Sequence, residues 1–224
     1  MRPGTLARWY ALKNNLTEEI EDESFILDIG GYDGFVSHNL KKLLPGLQIT
    51  VLDLDKKGLQ TAKERGLNTL CASGLELPVK DNSIDVILFL SVIEHVREDD
   101  KLIKEISRVL KTGKKLILTT PGQRGVSFPF LSRRKNEMLQ KNWGHVRNGY
   151  SLEELKKLLK GADLIIEKTY KYFNLVTRFF YRICFLSRIP LIGRNCLFRL
   201  ITRLEPYIKL GAETNMVVAK KVKQ

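Results

Sequence analysis

The sequence predicts an α/β fold built on a doubly wound, mostly parallel sheet. Three observations support this prediction: short apolar runs alternate with amphipathic segments, the first run ends in a glycine-rich turn, and the second ends in acidic residues. At 224 residues, 43% of them hydrophobic, the chain is long enough to bury a substantial core. We therefore expect residues 1–224 to form a single domain.

Hydrophobic periodicity and turn residues place the elements in order. An amino-terminal helix is expected to end at about Asn15, before a linker rich in acids. Strands are expected at 25–29, 49–53, about 67–71, 84–90, 115–120, about 164–172 and 215–220. Helices are expected near 35–44, 57–65, 98–110 and 151–160, with Gly113 capping the third and a capping box of Ser151 and Glu154 opening the fourth.

The first strand leads into three glycines in five positions, Gly30, Gly31 and Gly34. Glycine lets the backbone take positive φ and lets a ligand approach the main chain closely. The helix that follows offers free N–H groups at its start. This arrangement is typical of a site for a nucleotide cofactor.

The spacing of this turn decides between cofactors. A phosphate-binding loop needs a Gly-Lys-Ser/Thr ending, and the dinucleotide fingerprint needs glycines at positions where the chain has Tyr32 and Phe35. Asp28 lies two residues before the first glycine, where a carboxylate repels a pyrophosphate but attracts a cation. S-adenosylmethionine carries an ammonium and a sulfonium group, so its charge fits. Asp53, at the end of the second strand, lies where doubly wound folds bind a ribose diol.

Five motifs occur in the order and spacing of one known group of enzymes. They read LDIGGYDG, VLDLD, LELPVKDNSIDVI, SVIEHV and YSLEELKKLLKGADL. The chain resembles the class I S-adenosylmethionine-dependent methyltransferases, most closely the methyltransferase type 11 group, over about residues 20–170 and the last strand. The resemblance implies a seven-stranded, Rossmann-like sheet with an antiparallel last strand, and S-adenosyl-L-methionine as the cofactor.

The resemblance also implies which residues contact the cofactor. Asp28 and Gly30 would lie along the methionine part, Asp53 would bind the ribose hydroxyls, and Leu54 would lie against the adenine. Ser73 stands where many relatives have an aspartate, and Tyr32 stands where they have a glycine, so its side chain must point away from the cofactor or reshape the pocket. The full implied set is Asp28, Gly30, Gly31, Tyr32, Gly34, Asp53, Leu54, Ser73, Gly74 and Ser91.

Glu94, His95 and His145 are the candidate catalytic residues. Glu94 and His95 follow the fourth strand, at the edge where open α/β sheets place their sites. The resemblance puts the segment around His145 at the border of the acceptor pocket, and a structural role stays open for each histidine. Because a sulfonium is an activated leaving group, the protein mainly has to align the acceptor and exclude water. No metal site is expected, since no two of the three cysteines form a CxxC pair.

Positive charge is concentrated near the carboxyl end. The chain has a net charge of +13, and residues 171–224 hold 11 Lys and Arg against two acids. Residues 173–210 interrupt the hairpin expected between the last two strands. We expect this segment to be an amphipathic, basic helical insertion, with a second short helix at 195–204.

A helical wheel of the insertion separates two faces. Leu175 and Phe179 fall on the apolar face, and Arg178 and Arg182 fall beside Thr177 on the polar face. Three interpretations stay open for this segment: a lid over the acceptor, a contact with an anionic membrane surface, or a dimer contact.

The pattern of charge also bears on partners and location. Nucleic acid is not the expected partner, because the aromatic residues of the insertion share its apolar face instead of forming a stacking platform. Residues 123–147, with six Arg and Lys, are expected to be a solvated, mobile loop over the site. With no apolar run suited to a signal peptide or a membrane span, we expect a cytoplasmic protein, with or without peripheral membrane contact.

These observations predict a function. It is S-adenosylmethionine-dependent methyl transfer to a small-molecule or lipid- or glycan-linked acceptor, at oxygen. The alternatives are a non-catalytic binding module that has kept the fold, and an RNA methyltransferase.

Overall fold

The computed structural model describes residues 3–183, 191–208 and 210–222. Its strands are β1 (Phe25–Ile29), β2 (Gln48–Asp53), β3 (Asn68–Cys71), β4 (Ile84–Leu90), β5 (Leu110–Pro121), β6 (Leu164–Tyr172) and β7 (Thr214–Lys221). They form a single sheet in the order β3-β2-β1-β4-β5-β7-β6. β7 runs antiparallel between β5 and β6, and the neighbouring pairs from β3 to β5 are parallel. The predicted fold class is confirmed.

Helices cover both faces of this sheet. They are α1 (Pro3–Glu19), α2 (Phe35–Leu43), α3 (Lys56–Glu64), α4 (Asp99–Val109), α5 (Arg133–Asn142), α6 (Leu152–Lys160), α7 (Leu175–Tyr181) and α8 (Leu191–Arg203). Alternate residues of β4 divide between the two faces: Val86 and Leu88 pack in one apolar cluster, and Ile87 and Phe89 in the other. Because both faces are buried, the strands are nearly continuous apolar runs.

Two predicted boundaries are wrong, the end of α1 and the helix cap at Gly113. α1 continues past Asn15 to Glu19, whose carboxylate pairs with Lys115 at 2.9 Å and Lys168 at 2.5 Å, so the acidic linker is shorter than expected. Gly113 does not cap a helix, because α4 ends four residues earlier. Gly113 lies instead in an irregular stretch of β5, where the register with β4 shifts, and its φ of 79° suits the turn made there.

The loop expected at 123–147 is partly helical. α5 begins after Ser132, whose hydroxyl accepts a hydrogen bond from the Lys135 N–H, and it buries Asn136 and Gln140. The Asn136 side chain accepts a hydrogen bond from the Phe128 N–H at 2.8 Å, which ties the helix to the preceding chain. This segment is therefore held on the domain by its own buried contacts. The capping box of Ser151 and Glu154 at the start of α6 is confirmed.

The segment between β6 and β7 contains α7 and α8. α8 begins at Leu191, so the second helix is longer than predicted and Gly193 lies inside it. The sequence also predicts a break between the two helices at Ile189 and Pro190; these residues, together with Cys184, Leu186 and Arg188, lie outside the described residues. Within the described ranges, no helix combines the length and apolar character that crossing a bilayer requires.

The predicted faces of α7 are wrong. The Arg178 side chain is 3% exposed, pairs with Glu213 at 2.6 Å and donates a hydrogen bond to the Gly211 carbonyl at 2.6 Å. Thr177 is buried as well, whereas Leu175, expected on the apolar face, is exposed. A helical wheel misses this arrangement because the partner of the arginine comes from the chain just before β7.

Candidate active site

A cavity of about 550 Å³ opens at the carboxyl ends of β1 and β4. The chain leaves β1 toward β2 on one side and returns to β4 on the other, so this edge is the topological switch point of the sheet. Of the residues expected at the cofactor, Asp28, Gly30, Gly31, Tyr32 and Ser91 line the cavity. The three catalytic candidates line it too.

The glycine turn has little space for side chains. Gly30 has φ of 72°, and a Cβ built on Gly31 would lie 2.4 Å from Oδ2 of Asp28 and 2.8 Å from Cγ1 of Val51. Tyr32 has φ of 50°, in the left-handed region that favours glycine. Its ring lies against Gly58 at the start of α3 while the residue still lines the cavity, so it reshapes one wall of the pocket.

Asp28 is a buried carboxylate beside this turn. Its Oδ2 accepts a hydrogen bond from the Ser37 hydroxyl at 2.6 Å. Burial raises the pKa of Asp28 to about 6, and the Ser37 hydrogen bond and the positive charge of Arg8 act against this shift. A carboxylate with so little solvation gains from a cationic ligand in the cavity.

Asp53 lies at the end of β2, next to the turn. Its Oδ2 accepts a hydrogen bond from the Tyr32 N–H at 2.9 Å, and its Oδ1 accepts one from the Asp55 N–H at 2.9 Å. Each oxygen keeps a lone pair for a ligand hydroxyl, so the residue fits a ribose diol. The neighbouring Leu54 is exposed at this edge, where it could cover a planar base.

Five residues expected at the cofactor are not among those that line the cavity; they are Asp53 and Leu54 at the end of β2, and Gly34, Ser73 and Gly74 in loops. Gly34 packs against Leu67 and Ala62 at the start of α2, and a Cβ on Gly74 would lie 2.9 Å from Leu102. Ser73 accepts a hydrogen bond from the Leu75 N–H at 3.2 Å within its own loop. These contacts give the last three a part in loop structure.

The segment after β4 brings the catalytic candidates together with a distant loop. The carbonyl of Glu94 accepts hydrogen bonds from the N–H groups of Val146 and Arg147. Nδ1 of His95 lies 3.1 Å from the Gly144 carbonyl. Since a carbonyl oxygen only accepts, Nδ1 of His95 carries the hydrogen in this contact. The rings of His95 and His145 meet edge to face, with centroids 4.7 Å apart.

Two of these groups have displaced pKa values. Burial raises the pKa of Glu94, which is 1% exposed, to about 7. Burial and the neighbouring His95 lower the pKa of His145 to about 4. Near neutral pH, therefore, Glu94 can exchange a proton while His145 stays uncharged.

The cavity also has walls that sequence reasoning missed. Arg8 reaches it from α1, and its Nε is buried without a hydrogen-bond partner among the described residues.

A second wall of the cavity is aromatic; it consists of Phe128, Trp143, Tyr172, Phe173 and Tyr181. Tyr181 belongs to α7 and contacts Phe198 of α8 with ring centroids 5.9 Å apart, so the insertion closes one side of the cavity. No motif marks these residues; only the apolar character of the insertion indicated that its aromatic side chains were buried.

Comparison with known proteins agrees with this geometry. The family model described as "Methyltransferase domain" matches residues 27–118, from β1 into β5. Over these residues the chain is similar to class I methyltransferases of the type 11 group.

The curated relatives are named for different acceptor atoms. The ubiquinone biosynthesis O-methyltransferase of Xanthomonas oryzae pv. oryzae is 26% identical over 152 residues, which cover 63% of each chain. The sarcosine/dimethylglycine N-methyltransferase of Halorhodospira halochloris is 28% identical over 134 residues, 54% of this chain and 47% of that protein. The chain spans less than two thirds of the length of these relatives.

Solved structures match over nearly the whole chain. An S-adenosylmethionine-dependent methyltransferase from Thermotoga maritima has a TM-score of 0.65 at 22% identity, covering 97% of this chain and 92% of that one. The [4+2]-cyclase SpnF has a TM-score of 0.68 at 18% identity, covering 96% and 82%. Because these proteins are named for different reactions, the likeness establishes the fold and leaves the reaction to the site.

Proposed function

We propose that this protein transfers the methyl group of S-adenosylmethionine to an oxygen of a small-molecule or lipid- or glycan-linked acceptor. The proposal rests on one observation above all. A single cavity joins the buried carboxylate and glycine turn at the end of β1 to Glu94, His95 and His145 on its far side. A cationic cofactor and an acceptor therefore have adjacent places.

The residues at β1 and β2 fit the cofactor by charge and shape. Asp28 would face its ammonium group, Asp53 its ribose hydroxyls, and the turn at Gly30 its main-chain contacts. When bound, the cofactor supplies an activated methyl group. The protein has to hold the acceptor in line and keep water out, and the aromatic walls suit that task.

The properties of Glu94 favour oxygen as the acceptor atom. A hydroxyl must lose its proton during methylation, and a carboxyl with a pKa of about 7 can take it at neutral pH. Nε2 of His95 is the second candidate base, because its Nδ1 is occupied with the Gly144 carbonyl. Amine acceptors need a base less, so loss of activity in Glu94→Gln would support an oxygen acceptor.

The outer face of α8 supports the lipid-linked form of the proposal. Leu197, Leu200 and Leu204 are 43%, 59% and 48% exposed and lie at helical spacing on one face, while Phe198 points inward. An exposed apolar face on a chain of net charge +13 suits the surface of an anionic bilayer. The acceptor would then enter beside the aromatic wall that α7 contributes.

Calorimetric titration tests the cofactor first. We expect S-adenosylmethionine and S-adenosylhomocysteine to bind with micromolar affinity, Asp53→Ala to weaken both at least about tenfold, and NAD not to bind. Absence of binding by both sulfur compounds would favour the non-catalytic module. Cofactor binding together with methyl transfer to RNA, and to no other acceptor, would favour the RNA methyltransferase.

A further inference from the structure

We propose that Glu94, His95 and His145 bind a divalent transition-metal cation at the acceptor side of the cavity. Each residue offers one ligand atom, and these atoms lie within 4.8 Å of one another. Donor atoms around a common zinc-sized ion are roughly 3.4 Å apart, given bonds of about 2.1 Å. Small side-chain rotations therefore suffice to bring the three ligand atoms to the spacing that one ion requires. No metal site is expected from the sequence, and this proposal departs from that expectation.

Buried polar atoms without partners support the site. Among the described residues, neither Oε2 of Glu94 nor Nδ1 of His145 has a hydrogen-bond partner, although both atoms are buried. Leaving such atoms unsatisfied destabilises the folded protein. A cation between the two side chains would satisfy Glu94 and hold the His145 ring in place.

The surroundings of His95 match those of a metal ligand. Histidines that bind metal through one ring nitrogen usually donate the other N–H to a carbonyl or carboxylate. Nδ1 of His95 donates to the Gly144 carbonyl at 3.1 Å, which leaves Nε2 as the ligand atom. The backbone hydrogen bonds from Val146 and Arg147 to the Glu94 carbonyl hold the three ligands in one unit.

The ligand types select the class of metal. Two imidazoles and one carboxylate suit Zn²⁺, Co²⁺, Fe²⁺ or Mn²⁺ better than Ca²⁺ or Mg²⁺, which prefer oxygen ligands. Three protein ligands facing a cavity leave coordination positions open, as in catalytic metal sites. Asp28 and Asp33 line the same cavity and offset the positive charge of Arg8.

The role of this ion in the reaction rests on the proposed methyl transfer, whereas its binding does not. With the metal bound, Glu94 and His95 would act as ligands and not as bases; the cation would lower the pKa of an adjacent acceptor hydroxyl, so that the proton leaves to solvent near neutral pH. The acceptor oxygen then bonds to the methyl carbon as the carbon–sulfur bond breaks. The sulfur keeps the bonding electron pair, and the products are the methyl ether, S-adenosylhomocysteine and one proton.

Titration with Co²⁺ and Zn²⁺ tests the binding directly. The full chain, stripped with EDTA and dialysed, is titrated with CoCl₂ while visible absorption is recorded, and then with ZnCl₂ in a calorimeter. We expect one Co²⁺ per chain, visible absorption bands, and displacement by Zn²⁺. Glu94→Gln and His145→Gln are each expected to weaken binding by more than about 100-fold, beyond the 10- to 100-fold typical of residues behind the ligands.

The chain offers a matched control in its third histidine. His38 lies outside the cavity with Nδ1 3.1 Å from the Arg65 carbonyl, so His38→Gln should bind Co²⁺ like the unaltered protein. His95 is exposed, so His95→Gln provides a variant that folds even if the buried substitutions do not. Circular dichroism and S-adenosylhomocysteine binding in EDTA check the fold of each variant.

Each outcome separates this inference from the proposed function. No saturable Co²⁺ binding up to about 1 mM, or equal binding by His95→Gln and the control, overturns the metal site. If the unaltered protein does not bind S-adenosylhomocysteine, that result counts against the proposed methyltransferase function. The Co²⁺ titration still decides whether the metal site exists.

Discussion

The buried carboxylate of Asp28 favours binding of a cationic ligand at the expense of the stability of the folded protein. Its folded-state pKa of about 6 lies above the ordinary value of 3.8, so the folded protein binds more protons than the unfolded chain between these values. The free energy of unfolding of the cofactor-free protein should therefore fall as pH rises from about 4 to 6. Asp28→Asn is expected to stabilise the cofactor-free protein at pH 7, as measured by urea denaturation.

Cofactor binding should show the opposite pH dependence. A protonated Asp28 cannot pair with an ammonium group, so S-adenosylhomocysteine should bind about tenfold tighter at pH 7 than at pH 5. The charged groups acting on Asp28 are Arg8, Asp33 and Asp53. Asp28→Asn should weaken binding at pH 7 and flatten the profile in calorimetric titrations. A profile that is equally steep in the variant would assign the pH dependence to another group.

Gly31 is required because a side chain has no room there. The Cβ of Gly31→Ala would collide with the Asp28 carboxylate and with Val51. We expect a loss of about 1–3 kcal/mol in the free energy of unfolding and weaker cofactor binding. The control is Gly161→Ala at the exposed end of α6, where φ of −66° suits alanine. Equal stability of the two variants in thermal unfolding would contradict this account.

At the scale of elements, an ion pair joins α7 to the chain before β7. Arg178→Ala should lower the free energy of unfolding by about 2–3 kcal/mol, near the lower limit for a buried pair because Glu213 is partly exposed. A double-mutant cycle with Glu213→Gln should give a coupling energy of at least about 1 kcal/mol.

The exposed pair of Arg133 and Glu137 on α5 is the matched control for this cycle. Its ion pair spans one helical turn at the surface, so Arg133→Ala should change stability by about 0.5 kcal/mol or less. If the two substitutions lower the free energy of unfolding additively, Arg178 stabilises the fold only through its hydrogen bonds to backbone carbonyls.

At the scale of the whole molecule, α8 presents the surface proposed for a membrane. The protein should sediment with vesicles containing phosphatidylglycerol at low salt, and Leu200→Glu with Leu204→Glu should reduce the bound fraction several-fold. Leu43→Glu, an exposed leucine of α2, is the control. Equal sedimentation of both variants, or none by the unaltered protein, would remove the membrane contact and leave the insertion as a wall of the cavity.

Much of this molecule follows from short-range sequence patterns. The alternation of apolar runs predicts the strands and their order along the chain, because buried strands need apolar residues on both faces. The glycine spacing and Asp28 predict the cofactor site, since close approach and local charge depend on neighbours in sequence. Ser151 and Glu154 likewise predict the start of α6.

Other features were decided only by tertiary structure. Arg178 is buried because Glu213 meets it from a segment 35 positions away, which no helical wheel contains. Arg8 and the aromatic wall reach the cavity from α1, β6, α7 and the segments on either side of α5, and Glu94 meets His145 through contacts between the β4 end and the loop after α5. The sequence by itself therefore determined the fold and predicted the buried carboxylate and glycine turn that line the cavity. Folding determined the rest of the cavity wall, because it depends on side chains from separate segments lying within a few ångströms of one another.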